Sequence, residues 1–175
     1  MSPVKKLTAS AMVTAACVAL LYTAALAGQI RLALTALAGI LPAAAVILCG
    51  PGWALGCFAG AGLLALFLLP DKSAALWFLG FFGHYPVWKM AIERLQTRLG
   101  KPLLGWAMKL AGFCLCMAAM YLLFKSLFLG AVPAAAAEWA LPLLGLVLLA
   151  CFAAYDVAFS ILIGYFRINI LPKLR

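Results

Sequence analysis

Acidic side chains are nearly missing from this sequence. Asp71, Glu93, Glu138 and Asp156 stand against 13 lysines and arginines, and His84 is the single histidine. General acid–base chemistry has almost no raw material in that supply. No H-E-x-x-H, G-x-S-x-G or phosphate-loop pattern is present. The expectation is a protein that is not an enzyme. Charge of both signs is also scarce, at 10% of residues, where soluble domains carry about a quarter. So few charges cannot clothe a water-soluble surface of this size. No apolar segment carries a regular polar stripe, which argues against a channel.

Cysteine is present but unorganised. Cys17, Cys49, Cys57, Cys114, Cys116 and Cys151 form no C-x-x-C, and Cys114 and Cys116 point to different sides of a helix. A metal cage needs several soft ligands at one point. Small packing residues are the expected role, with no disulfide framework, no metal site and no cofactor.

What the chain does have is hydrocarbon: 69% hydrophobic residues and a mean hydropathy of +1.18 over 175 residues. A bilayer crossing takes about 20 apolar residues, so the length allows about six. The expectation is an all-α integral membrane protein, a single domain over 1–175 with six transmembrane helices. They are read at about 7–27, 32–49, 53–69, 73–88, 102–124 and 140–166. Gly50-Pro51-Gly52 and Pro70-Asp71-Lys72 break the runs, and Pro42 is tolerable inside the second if a neighbour satisfies the freed carbonyl. Ala25-Leu26-Ala27-Gly28 looks like a signal cleavage site. Its apolar stretch exceeds the usual ~7–15 residues, so a retained first helix is expected.

Residues 89–101, KMAIERLQTRLGK, differ in character. Met90, Ile92, Leu95 and Leu99 alternate with charges, and Lys89–Glu93 is an attractive i,i+4 pair while Arg94–Arg98 repels. An amphipathic extension at the membrane surface, between helices four and five, is the reading. A cytoplasmic N-terminus puts nine basic residues on the inner side: Lys5, Lys6, Lys89, Arg94, Arg98, Lys101, Arg167, Lys173 and Arg175. The outer side receives Arg31, Lys72 and Lys125. Both termini are therefore expected inside. The net charge of +9 is assigned to cytoplasmic loops and anionic headgroups, with membrane lipid and not nucleic acid as the partner.

Three groups are candidates for function. Ala11, Ala15 and Ala19 form a small-residue face on the first helix that packs inside the bundle or docks on another membrane protein. Gly56/Gly60 and Ala107/Ala111 are expected to serve internal packing. Lys109 and Asp156 lie at similar depth in the last two helices. They form an intramembrane ion pair, or Lys109 snorkels while Asp156 bonds a hydroxyl such as Tyr155 or Ser160. On the outer side, segments 28–31, 71–73 and 125–138 cap a candidate concave site with Arg31, Asp71, Lys72, Lys125 and Glu138 as its charges. Those charges are merely solvated, or contact a small-molecule substrate, with Arg31, Asp71, Lys72 and Trp139 as the candidate contacts. His84, in GHYP, reads as an interfacial hydrogen bonder. Trp77, Trp88, Trp106 and Trp139 suit aromatic belts.

The opening KKLTASAMVTAACVAL, the alanine row, the size and the inside termini resemble the substrate-binding S component of an energy-coupling-factor (ECF) importer of bacterial cytoplasmic membranes. That resemblance implies that Ala11, Ala15 and Ala19 dock on a transmembrane coupling subunit carrying ABC ATPases. It also implies that a vitamin or micronutrient binds from outside. The stretch LLPDKSAALWFLGFFGHYPVWKMAIERL resembles small bacterial membrane proteins of uncharacterised role. The competing reading is a non-transporting membrane scaffold, similar to MreD-like cell-shape proteins, that recruits a partner through its basic cytoplasmic face.

Overall fold

The computed structural model describes residues 2–123, 137–165 and 168, the side chains at 102, 137–142 and 144 excepted. Every regular element among them is helical. Contacts divide the chain into two compact units, Met1–Met117 and Ala118–Arg175.

The first unit is built around a three-helix core. Helix α1 spans Pro3–Leu26, entered through Ser2, whose hydroxyl accepts from the Lys5 N–H at 3.4 Å. A short 3-10 turn, Gly28–Ile30, leads to α2 at Arg31–Leu48, and Gly50-Pro51 reverses the chain into α3 at Pro51–Leu68. Cys17, Leu21 and Ala24 from α1 are fully buried, with Ala38 of α2 and Ala61 and Ala65 of α3. Small residues dominate this core because they let helix backbones approach in a solvent that gives no hydrophobic drive. Three cysteines tie α1 to its neighbours. Cys57 Sγ donates to the Ser10 carbonyl at 3.3 Å, Cys49 Sγ to the Lys6 carbonyl at 3.6 Å and Cys17 Sγ to the Ala38 carbonyl at 3.6 Å.

The fourth segment departs from expectation. In place of one helix over 73–88 followed by a surface extension, there are α4 at Lys72–Trp77, a π-helical turn at Phe78–Phe82 and α5 at Tyr85–Leu99. The cause is Pro86. It lacks an N–H and disfavours helix in the residue before it, but suits the first turn of a new helix. The preceding turn widens instead, with the Gly83 N–H bonding the Phe78 carbonyl at 2.8 Å. The amphipathic stretch is thus continuous with the helix that Pro86 starts. Gly39 of α2 lies so close to this turn that a Cβ there would stand 2.6 Å from the Phe82 carbonyl oxygen. Gly100, at φ 63°, ends α5, and α6 runs from Pro102 to Leu123.

In the second unit, α7 covers Ala137–Tyr165. Phe152, Asp156 and Phe159 line one buried stripe, and the Tyr155 and Phe159 rings meet at a tilt of 46° with centres 5.7 Å apart.

Five helices are long and apolar enough to cross a membrane: Pro3–Leu26, Gly28–Leu48, Pro51–Leu68, Leu103–Leu123 and Gly145–Tyr165. Phe67 and Leu103 are both 83% exposed, and many leucines point outward with them. A water-soluble monomer rarely exposes apolar side chains in such continuity. The chain reads as a membrane protein.

Candidate functional site

The sequence places Arg31, Asp71 and Lys72 at one end of the bundle, and the structure joins the first two directly. Arg31 stands at the start of α2, and Asp71 is the residue before α4. The Arg31 guanidinium meets the Asp71 carboxylate at 2.5 Å and donates to Ser73 Oγ at 2.7 Å. Asp71 in turn accepts from the Ser73 N–H at 2.9 Å, capping α4. That backbone hydrogen bond, with the Ser73 hydroxyl and the Arg31 charge, holds the Asp71 carboxyl below its ordinary value against the opposing effect of partial burial. Lys72 turns the other way. Its Nζ donates to the carbonyls of Leu69 and Phe67, at 2.6 and 3.5 Å, closing the end of α3. Arg31 Nε is buried without an acceptor among the described residues. The side chains of Trp139 and Glu138, and all of Lys125, lie outside the described residues.

Ala11, Ala15 and Ala19 are exposed along α1, as are Thr8 and Met12 beside them. The other small-residue rows divide. A Cβ at Gly60 would stand 3.6 Å from the Thr14 methyl, so this glycine faces α1, while Gly56, Ala107 and Ala111 face outward. Internal packing is therefore corrected for those three, because residue size alone does not say which side of a helix meets a neighbour.

At the other end of the fourth segment, the expected Lys89–Glu93 pair forms at 3.5 Å, with Lys89 1% exposed. Glu93 also takes Lys109 of α6 at 3.1 Å, and Lys109 stands 5.6 Å from the centre of the Trp106 ring. Lys109 belongs to the first unit and Asp156, 2% exposed, to the second. Glu93 is a Lys109 partner that the reading of the sequence did not name. Two residues sixteen apart meet only once the elbow between α5 and α6 is formed.

Beside Lys109 is a cavity of about 120 Å³ walled by Phe81, His84, Tyr85, Trp88, Phe113 and Cys116. His84 Nε2 stands 3.7 Å from Cys116 Sγ, and its ring meets Phe58 edge-on at 5.7 Å. His84 is thus held by a thiol and by aromatic faces. Among the described residues no three His, Cys, Asp or Glu side chains converge on a metal-sized point.

No family model, curated protein or solved structure matches the chain. The functional reading therefore rests on the residues themselves.

Proposed function

We propose that the chain is the substrate-binding membrane subunit of an ECF-type micronutrient importer, docking on a transmembrane coupling subunit through α1. The observation that carries this reading is the exposure of Ala11, Ala15 and Ala19 on a helix whose opposite face, at Cys17, Leu21 and Ala24, is fully buried. A row of small side chains lets a second helix approach closely where packing replaces the hydrophobic effect.

In this proposal the chain crosses the cytoplasmic membrane of a bacterium six times, with both termini inside. The fourth crossing is the bent segment 72–88. Its helical rise covers roughly 25 Å, against a hydrocarbon core of about 30 Å. The partners are membrane lipid, the coupling subunit with its ABC ATPases, and a small-molecule substrate.

A second reading, the MreD-like scaffold, is favoured by one observation. Arg31 and Asp71 are held by each other and by Ser73, which reduces the polar groups left for a substrate. Mild-detergent affinity purification separates the two. The importer reading expects a coupling subunit, two ATPases and a small molecule to copurify, with Ala15→Trp losing the complex while the chain stays monodisperse. Recovery of neither ATPase nor small molecule rejects it.

A further inference from the structure

We infer that the elbow between α5 and α6 binds an anionic phospholipid of the leaflet it faces. Helix α5 is two-sided. Lys89 and Ile92 are buried, while Arg94, Leu95, Arg98 and Leu99 are exposed. At Gly100 the backbone takes a left-handed turn, its N–H bonding the Gln96 carbonyl at 2.9 Å. Lys101 follows at once, and α6 opens with the exposed Leu103 and Leu104. The turn leaves an open hollow of about 470 Å³ walled by Gly100, Lys101, Leu103, Leu104 and Ala107. A cation and an apolar wall therefore meet in one recess, as a headgroup and the start of an acyl chain require.

The charge balance selects the headgroup. Glu93, the one carboxylate on α5, is engaged by Lys89 and Lys109. Arg94, Arg98 and Lys101 have no carboxylate partner among the described residues. Arg94 and Arg98 are one helical turn apart and repel each other. A phosphate between them relieves that repulsion and suits the planar guanidinium fork. A zwitterionic lipid brings its own ammonium and gains less. The six-crossing proposal sets only which leaflet supplies the lipid; the chemistry of the elbow does not depend on it.

Native mass spectrometry of the full chain, equilibrated with equal phosphatidylglycerol and phosphatidylcholine, reads the preference directly. The wild type should retain phosphatidylglycerol selectively. Each cation removed should weaken that preference roughly fivefold, so the combined Arg94→Gln, Arg98→Gln and Lys101→Gln variant should bind both lipids alike. The single Arg98→Gln change, at an exposed site, gives the one-cation effect if the triple variant misfolds. Lys5→Gln with Lys6→Gln should leave the preference intact. An unselective wild type, or a triple variant as selective as the wild type, overturns the inference, as does an acidic protein segment retained there in place of lipid. Labelling of Lys101→Cys by an impermeant maleimide on intact cells would overturn the six-crossing topology alone.

Discussion

The thiol of Cys17 on α1 stands 3.6 Å from the carbonyl oxygen of Ala38 on α2. That oxygen is the one that Pro42, four residues on and inside the same helix, leaves without an N–H. The proline thus creates an orphan acceptor in an apolar interior, and the neighbouring helix supplies a weak donor to it. Cys17→Ala should destabilise the chain by about 1–3 kcal/mol, while Cys17→Ser should be tolerated better because it keeps a donor. In a Pro42→Ala background, where a backbone N–H is restored, the loss from Cys17→Ala should shrink by about 0.5–2 kcal/mol. Thermal unfolding of the four proteins in detergent measures this. Strictly additive changes would contradict the bond.

The contact of α2 with the π-helical turn is equally specific. A Cβ at Gly39 would stand 2.6 Å from the Phe82 carbonyl oxygen and 2.7 Å from its Cβ, whereas one at Gly56 meets nothing within 4 Å. Gly39→Ala should therefore cost about 1–3 kcal/mol by overpacking, and Gly56→Ala should be close to neutral. Equal effects in the same unfolding assay would show that the approach is not as close as described.

Glu93 bridges two buried lysines, at 3.5 Å to Lys89 and 3.1 Å to Lys109. Glu93→Gln removes the charge from both bonds and should destabilise by about 1–3 kcal/mol. Adding Lys109→Met, which keeps the stem and removes one cation, should recover part of that loss. A double variant no more stable than Glu93→Gln alone argues against the bridge.

The Asp71 carboxyl gives a pH dependence of definite sign. Its folded pKa lies below the ordinary 3.8, chiefly through the backbone N–H of Ser73. Its contribution to stability is full above the ordinary value and is lost as pH falls through the lower folded one. Thermal stability measured from roughly pH 5 down to pH 2 should decline less steeply in Asp71→Asn than in the wild type. Parallel curves would show that Asp71 does not carry this pH dependence.

The first three helices were legible because apolar runs there end at Gly and Pro, which act through the backbone alone. The fourth was not. Pro86 reads equally as a tolerated interior proline or as a helix start, and only packing decides. Lys89–Glu93 was visible in the i,i+4 spacing, whereas Glu93–Lys109 depends on a turn that no local pattern specifies. Arg31 and Asp71 were recognised as charges at the same end of the bundle. Nothing in the spacing says that they meet each other before any ligand. Pro42 pointed to an unsatisfied carbonyl, but the residue that answers it, Cys17, comes from another helix.

Photo-crosslinking from position 15 in living cells reads out the proposed docking face on α1. A photoreactive residue replacing Ala15 should join the chain to one membrane protein that copurifies with ABC ATPases, while the same probe at the buried Ser10 should not. Crosslinks to lipid and to the chain itself alone, with no second protein recovered, would contradict it.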